Sequence, residues 1–191
     1  MRKPVSTLLL LGALLLTASM LMAEEHMQEG QQGMPEMGPP EEMKHLEGMI
    51  GMWDVASKMK MDPTSDEWTD FSATAEFSYI LDGAALRMDY EGQMMGMPYK
   101  GLSISAYDRE HEEWQDTWVD NMTGRIMMMT GWEKDGKRVM QGKDIWNGQE
   151  MLVRTTSHNM TDDSFDWKYE TSTDGGKTWE TMMTATYTKR Q

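Results

Sequence analysis

Residues 71–79, FSATAEFSY, set Phe71, Ala73, Ala75, Phe77 and Tyr79 against Ser72, Thr74, Glu76 and Ser78, apolar against polar without a break. Side chains on a strand point alternately to opposite faces, so this is a strand with one face buried and the other in water. Asp62 to Ser65 precede it as a turn that includes Pro63, and Asp82 and Gly83 follow it as a second turn. The same period runs outward in both directions. Upstream, Trp53, Val55, Met59 and Met61 share a face opposed to Asp54, Lys58 and Lys60. Downstream, Leu86, Met88 and Tyr90 oppose Arg87, Asp89 and Glu91, and Leu102, Ile104 and Ala106 follow in a further strand.

Six more strands continue the pattern over 114–120, 125–132, 138–146, 151–159, 165–171 and 179–188. Between them lie Asp135 with Gly136, Asn147 with Gly148, and Asp174 with Gly175 and Gly176. Asp-Gly and Asn-Gly suit two-residue hairpins because both central positions need positive φ. About ten strands in short hairpins predict an all-β, antiparallel up-and-down barrel, which leaves no free edge. A two-sheet sandwich is the competing arrangement. Before Trp53, the stretch from His45 through Leu46, Gly48 and Gly51 reads as a short helix that leads into the first strand and closes one end.

The chain has 191 residues and divides into three parts. Residues 1–23 read as an export signal, with Arg2 and Lys3, an apolar run from Leu8 to Met22, and Ala23 before the expected cut. An uncleaved anchor is the alternative reading, although the run is short for a spanning helix. Residues 24–41, with Pro35, Pro39, Pro40 and no apolar period, read as a disordered linker. Residues 42–191 form the barrel domain, about 150 residues and large enough for one hydrophobic core. The expected location is a bacterial periplasm or the medium, with no stable membrane insertion once the signal is removed.

A net charge of -14 repels phosphate backbones and argues against nucleic acid. Cysteine is absent, which excludes disulfides and thiolate metal sites, so packing alone must stabilise the fold. Methionine is abundant, 24 residues against 3 Phe, so flexible thioethers fill space that Leu or Phe would otherwise take.

Several stretches together resemble a bacterial family known only as domain of unknown function 1579. They are His45 and Leu46 with Gly51 and Trp53; Ala75 to Phe77 leading to Leu81, Asp82 and Gly83; Glu91 to Tyr99; Tyr107 and Asp108; Thr117 to Met122; and Thr186 to Arg190. The resemblance covers about residues 42 to 190. It implies a lipocalin-like barrel, and no activity comes with it.

Candidate sites follow from the residues. Trp114, Asp116, Trp118 and Asp120 share one face of a strand. Turned inward they would line the barrel with stacking surfaces and acceptors for a polar or cationic molecule; turned outward they are a solvated face. Asp116 and Asp120 stand four residues apart, roughly 13 Å along a strand, too far for a glycosidase pair at about 5–9.5 Å. The run Met94, Met95, Gly96, Met97, Pro98 and Tyr99 reads as an irregular connection, either an adaptable lid over the mouth or a plug in the core. Arg154 and His158 share a face, and His158 could be an axial haem ligand, as a single His is in the distantly related nitrobindin-like barrels. Met34, Met37 and His45 supply thioether and imidazole groups of the kind that suit Cu(I). Ser172 to Trp179 look like one copy of the Asp-box hairpin of sialidase-type propellers; a single copy implies a stable hairpin and no propeller.

The expected function is therefore non-catalytic binding of a small, partly apolar molecule by Trp53, Met94, Met95, Met97, Tyr99, Trp114, Trp118, Asp120, Arg154 and His158. Cu(I) or haem capture is a second reading, and a protein interaction module with a filled barrel is a third. No nucleophile motif or phosphate loop points to an enzyme.

Overall fold

The structure, a computed structural model, describes residues 38–62, 65–146 and 148–191. The expected export signal and nearly all of the linker lie outside these, as do Met34 and Met37. Gly38–Gln191 form one compact unit.

A 3₁₀ helix, Glu41–Met49, opens the unit, and ten strands follow: β1 (Gly51–Met59), β2 (Thr69–Ile80), β3 (Ala85–Met94), β4 (Met97–Asp108), β5 (Glu113–Asp120), β6 (Met127–Lys134), β7 (Lys137–Trp146), β8 (Gln149–His158), β9 (Ser164–Ser172) and β10 (Glu180–Lys189). Each strand pairs antiparallel with the next, and β10 returns to pair with β1, so the sheet closes into a barrel and the sandwich is excluded. The closing register sets Val55 opposite Tyr187 on one side and Ala73 on the other.

The alternation read in the sequence is the in-and-out alternation of the wall. Trp53, Val55 and Ser57 of β1 are buried, while Met52, Asp54, Ala56 and Lys58 are exposed. One segment differs from the reading. Met94 to Tyr99 is not an irregular lid: Met94 ends β3, Met97 begins β4, and only Met95 and Gly96 lie between them as a tight turn.

The helix seals one end. Gly51 has φ +120°, a backbone shape that a side chain disfavours, and this lets the chain leave the helix and enter β1 directly. Met43, Leu46 and Met49 face the core, and Tyr79 Oη donates to the Met43 carbonyl. Trp53, only 1% exposed, lies beneath the helix; its indole N–H donates to the Met49 carbonyl at 2.7 Å. Its ring meets Phe165 edge-on at 5.2 Å and Phe77 at 6.3 Å, and Phe165 stacks on Tyr187 at 4.3 Å. Four aromatic rings from β1, β2, β9 and β10 thus pack across the seam where the barrel closes.

Trp53→Ala is expected to destabilise the barrel by about 3–5 kcal/mol through the cavity it leaves. Trp53→Phe, which keeps a ring but strips the Met49 carbonyl of its donor, is expected to cost about 1–3 kcal/mol. Chemical denaturation followed by circular dichroism measures both; an unchanged stability in Trp53→Phe would show that the indole N–H contributes nothing.

Candidate functional site

At the end opposite the helix the wall opens. Pairing between β2 and β3 runs from Ile80 with Ala85 to Ala73 with Gly92 and stops there. Beyond that point β2 continues along β1 to Thr69, and β3 continues along β4 to Met94. The two strand ends diverge around a cleft of about 950 Å³, a volume that suits a small molecule. Phe71 and Gly92 line it from the interior register, and Ser72, Thr74, Glu91 and Gln93 from the outer one. Met61 and Met95 stand at its rim. A Cβ added at Gly92 would lie 2.8 Å from the Cβ of Ala73, so this last pair of the closed wall has no room for a side chain.

Met95 is the residue out of place in its turn. It adopts φ +53° ahead of Gly96 at φ +76°, where two-residue hairpins favour Asn or Asp, and the chain satisfies that preference at Asp135 and Gly136. A methionine pays local strain here, and its side chain is 58% exposed at the rim of the cleft.

Inside the mouth, Tyr90 meets Tyr99 and Trp118 edge-to-face and those two rings are tilted on each other, with centroids 5.9 to 6.4 Å apart. The indole of Trp118 lies over Gly101, where an added Cβ would come within 2.1 Å of the ring. Asp120 holds this cluster to the loop that follows. Its Oδ2 accepts from Trp118 Nε1 at 3.2 Å and Tyr99 Oη at 3.4 Å; its Oδ1 accepts from the Met122 and Thr123 N–H groups and the Thr123 hydroxyl. Burial acts to raise the Asp120 carboxyl, but the Thr123 and Met122 amides and the indole outweigh it and hold the group below the usual carboxylate range. Burial, with Asp120 second, pushes the Tyr99 phenol well above its ordinary value. Asp120 is thus a fully engaged cap, and the aromatic pair above it is what a ligand could touch.

The strand Trp114 to Asp120 faces inward: Trp114 is 3% exposed, and Asp116 pairs with Arg138 of β7 at 2.7 Å. Interior positions also carry Met59, Met88, Met127, Met129, Met140, Met151 and Met183, so part of the methionine excess lines the barrel. Other expected site residues lie elsewhere. Trp53 belongs to the sealed end. Arg154 and His158 alternate with the interior-facing Val153, Thr155 and Ser157 and sit on the outer wall, where Arg154 pairs with Glu170 at 2.8 Å and stacks on Trp179 at 4.2 Å. His45 is an exposed helix residue 3.7 Å from Glu133. Among the described residues no group of three or more His, Asp or Glu side chains gathers as a metal site.

The Asp174 hairpin is a structural device. The Asp174 carboxylate accepts from the N–H groups of Lys177 and Thr178 and from the hydroxyls of Thr178 and Ser172, and Trp179 Nε1 returns to the Gly176 carbonyl. Those bonds, the Thr178 amide first, hold its pKa down to about 2.

Sequence reasoning missed Phe71 and Gly92 as cleft residues and Arg138 altogether. Arg138 did carry a signal: with Met140 and Gly142 it forms an apolar period in which a charge is out of place.

A closed, ten-stranded, lipocalin-like barrel is the class these observations define. The model of a family of proteins of unknown function, DUF1579, matches residues 38–189, and the chain belongs to that family. No curated protein matches it. Among solved structures, Rv2717c from M. tuberculosis is similar with a TM-score of 0.59 at 10% identity, covering 81% of this chain and all of its own. An S-type phycobiliprotein lyase, CPES from Guillardia theta, is similar with a TM-score of 0.53 at 13% identity, covering 78% of this chain and 92% of its own. At these identities the likeness is one of fold.

Met95→Asn, which relieves the turn, is expected to raise stability by about 0.5–1 kcal/mol; an unchanged denaturation midpoint would mean that the turn holds no strain. Asp174 has a depressed pKa, so its contribution is present above its unfolded value and is lost as pH falls through about 2. A carboxyl NMR titration of Asp174 is expected to show that midpoint; one near 4 would disprove the capping network.

Proposed function

We propose that this protein is a non-catalytic carrier or sensor of a small, partly apolar molecule, which enters the barrel wall through the cleft between β2 and β3. The observation that carries this reading is the divergence of β2 and β3 beyond Ala73 and Gly92, around a cleft that sets Phe71, Met61 and Met95 among the polar Thr69, Asp70, Ser72, Thr74, Glu91 and Gln93. Apolar surface with polar groups beside it can hold and orient a small, partly apolar ligand. Methionines behind the cleft can repack at low cost, so the interior can adjust to a guest. The phycobiliprotein lyase with the same fold is consistent with a ligand-handling use of such barrels. The export signal read in residues 1–23 supports the expectation that this binding takes place in the periplasm or medium.

Full-length chain expressed in a bacterium, recovered from the periplasm with Glu24 as its first residue, is the material to test. Native mass spectrometry with an absorption spectrum is expected to show either a bound small molecule or an apo chain that takes up the apolar fluorophore phenylnaphthylamine. Bound copper or a Soret band would instead support metal or haem capture. Phe71→Ala is expected to weaken fluorophore binding about tenfold with little loss of stability, since Phe71 is paired on the β1 side only and is partly exposed. No uptake of fluorophore or of any member of a broad lipid and metabolite set would overturn the reading.

A further inference from the structure

Deep in the barrel, Arg138 presents a hydrogen-bond donor that the protein does not use. Arg138 is 8% exposed, its Nη2 donates to Asp116 Oδ1 at 2.7 Å, and its guanidinium carbon lies 4.7 Å from the centre of the Trp114 ring. Its Nε–H is buried without a partner, and Arg138 Nε is the only side-chain nitrogen or oxygen among the described residues in that state. An unpaired buried donor costs about 1–3 kcal/mol, so a purely structural arginine would turn its fork to engage the carboxylate through Nε as well.

The surroundings keep this donor in place. Arg138 is on β7 and Asp116 on β5, with β6 between them; the diagonal joining the pair passes over Gly131, the interior residue of β6 that has no side chain. A Cβ there would lie 2.9 Å from the Met140 sulfur and 1.9 Å from the Val139 carbonyl oxygen, so the position accepts only glycine. Stacking on Trp114 then fixes the plane of the guanidinium. Small polar residues flank the pair: Ser105 stands opposite Asp116, and Ser157 opposite Arg138.

We infer that Arg138 Nε–H is the polar anchor of the interior, and that it takes the carbonyl oxygen of a neutral ester, amide or ketone on an otherwise apolar molecule. This rests on the reading that the barrel takes up such a molecule. Charge selects the class. Asp116 already neutralises Arg138, so a neutral acceptor completes the site without adding net charge to the core. A carboxylate would meet Asp116 at close range, with Glu133 on the same interior face beside Arg138 and Asp120 and Asp144 nearer the mouth. Asp116 lies four residues down β5 from Asp120 at the mouth, roughly 13 Å, a depth that a medium-length acyl chain spans.

The test is displacement of phenylnaphthylamine from the exported chain by three molecules of equal carbon number: undecane, methyl decanoate and undecanoate. Methyl decanoate is expected to bind about tenfold more tightly than undecane, the effect of one hydrogen bond to a charged donor, and more tightly than undecanoate. Arg138→Lys keeps a cation for Asp116 but has no Nε–H, and is expected to bring the ester-to-alkane ratio to about one. Equal binding of ester and alkane by the wild type, or an ester preference that survives in Arg138→Lys, would remove this inference and leave the carrier reading intact. Tightest binding of undecanoate would replace it with an anion site. Failure of the fluorophore and all three ligands to bind would overturn both readings. The wild-type ratio decides the matter even if the lysine variant does not fold.

Discussion

The structure depends on β1 being paired along both edges. A ten-stranded antiparallel sheet with a free first and last strand would expose two rows of unpaired backbone groups; closure through β1 and β10 satisfies them. That closure is held from inside by Trp53, whose ring fills the space between Phe77 and Phe165 and whose N–H ties the strand to the helix above it. It is reinforced at the rim, where Lys189 donates to the Gly48 carbonyl and Arg190 Nε to Asp54 at 2.9 Å. These rim contacts are exposed and contribute little beside the buried rings.

With one end sealed, function is confined to the rest of the interior and to the wall. The barrel relaxes its rules there in three places. The β2 and β3 ladder ends early, a methionine occupies a turn position suited to Asn or Asp, and a buried arginine keeps a donor unpaired. Elsewhere several local choices suit the fold: Asp135 and Gly136 suit their turn, Asp174 caps its hairpin, and Glu170 is neutralised by Arg154 and Lys168 on the outer wall. Positive φ also falls on Leu81 and Glu112, so the carrier reading rests on the early end of the β2 and β3 ladder and on the unpaired arginine rather than on the turn.

Methionine use fits the same picture. Seven interior positions carry thioethers, each able to change rotamer with small loss, around a few fixed aromatic clusters. Rigid rings at the sealed end and at Tyr90, Tyr99 and Trp118 set the frame. Such side chains would let the interior adjust to the guest proposed above.

The sequence by itself determined the strand period, the barrel class, the Asp-Gly hairpins and the role of the stretch from His45 to Trp53, because these depend on neighbours one to four residues apart. It also determined which residues share a face, but not which face is inside: Trp114 to Asp120 could be read in either direction until both neighbouring strands were in register. Arg154 and His158 fell outside for the same reason, since a one-residue change of parity moves a side chain through the wall. Tertiary structure alone decided where the β2 and β3 ladder stops, and with it the cleft. It alone brought Arg138 across Gly131 to Asp116, because two strands joined only through a third meet by barrel curvature, which no local pattern encodes.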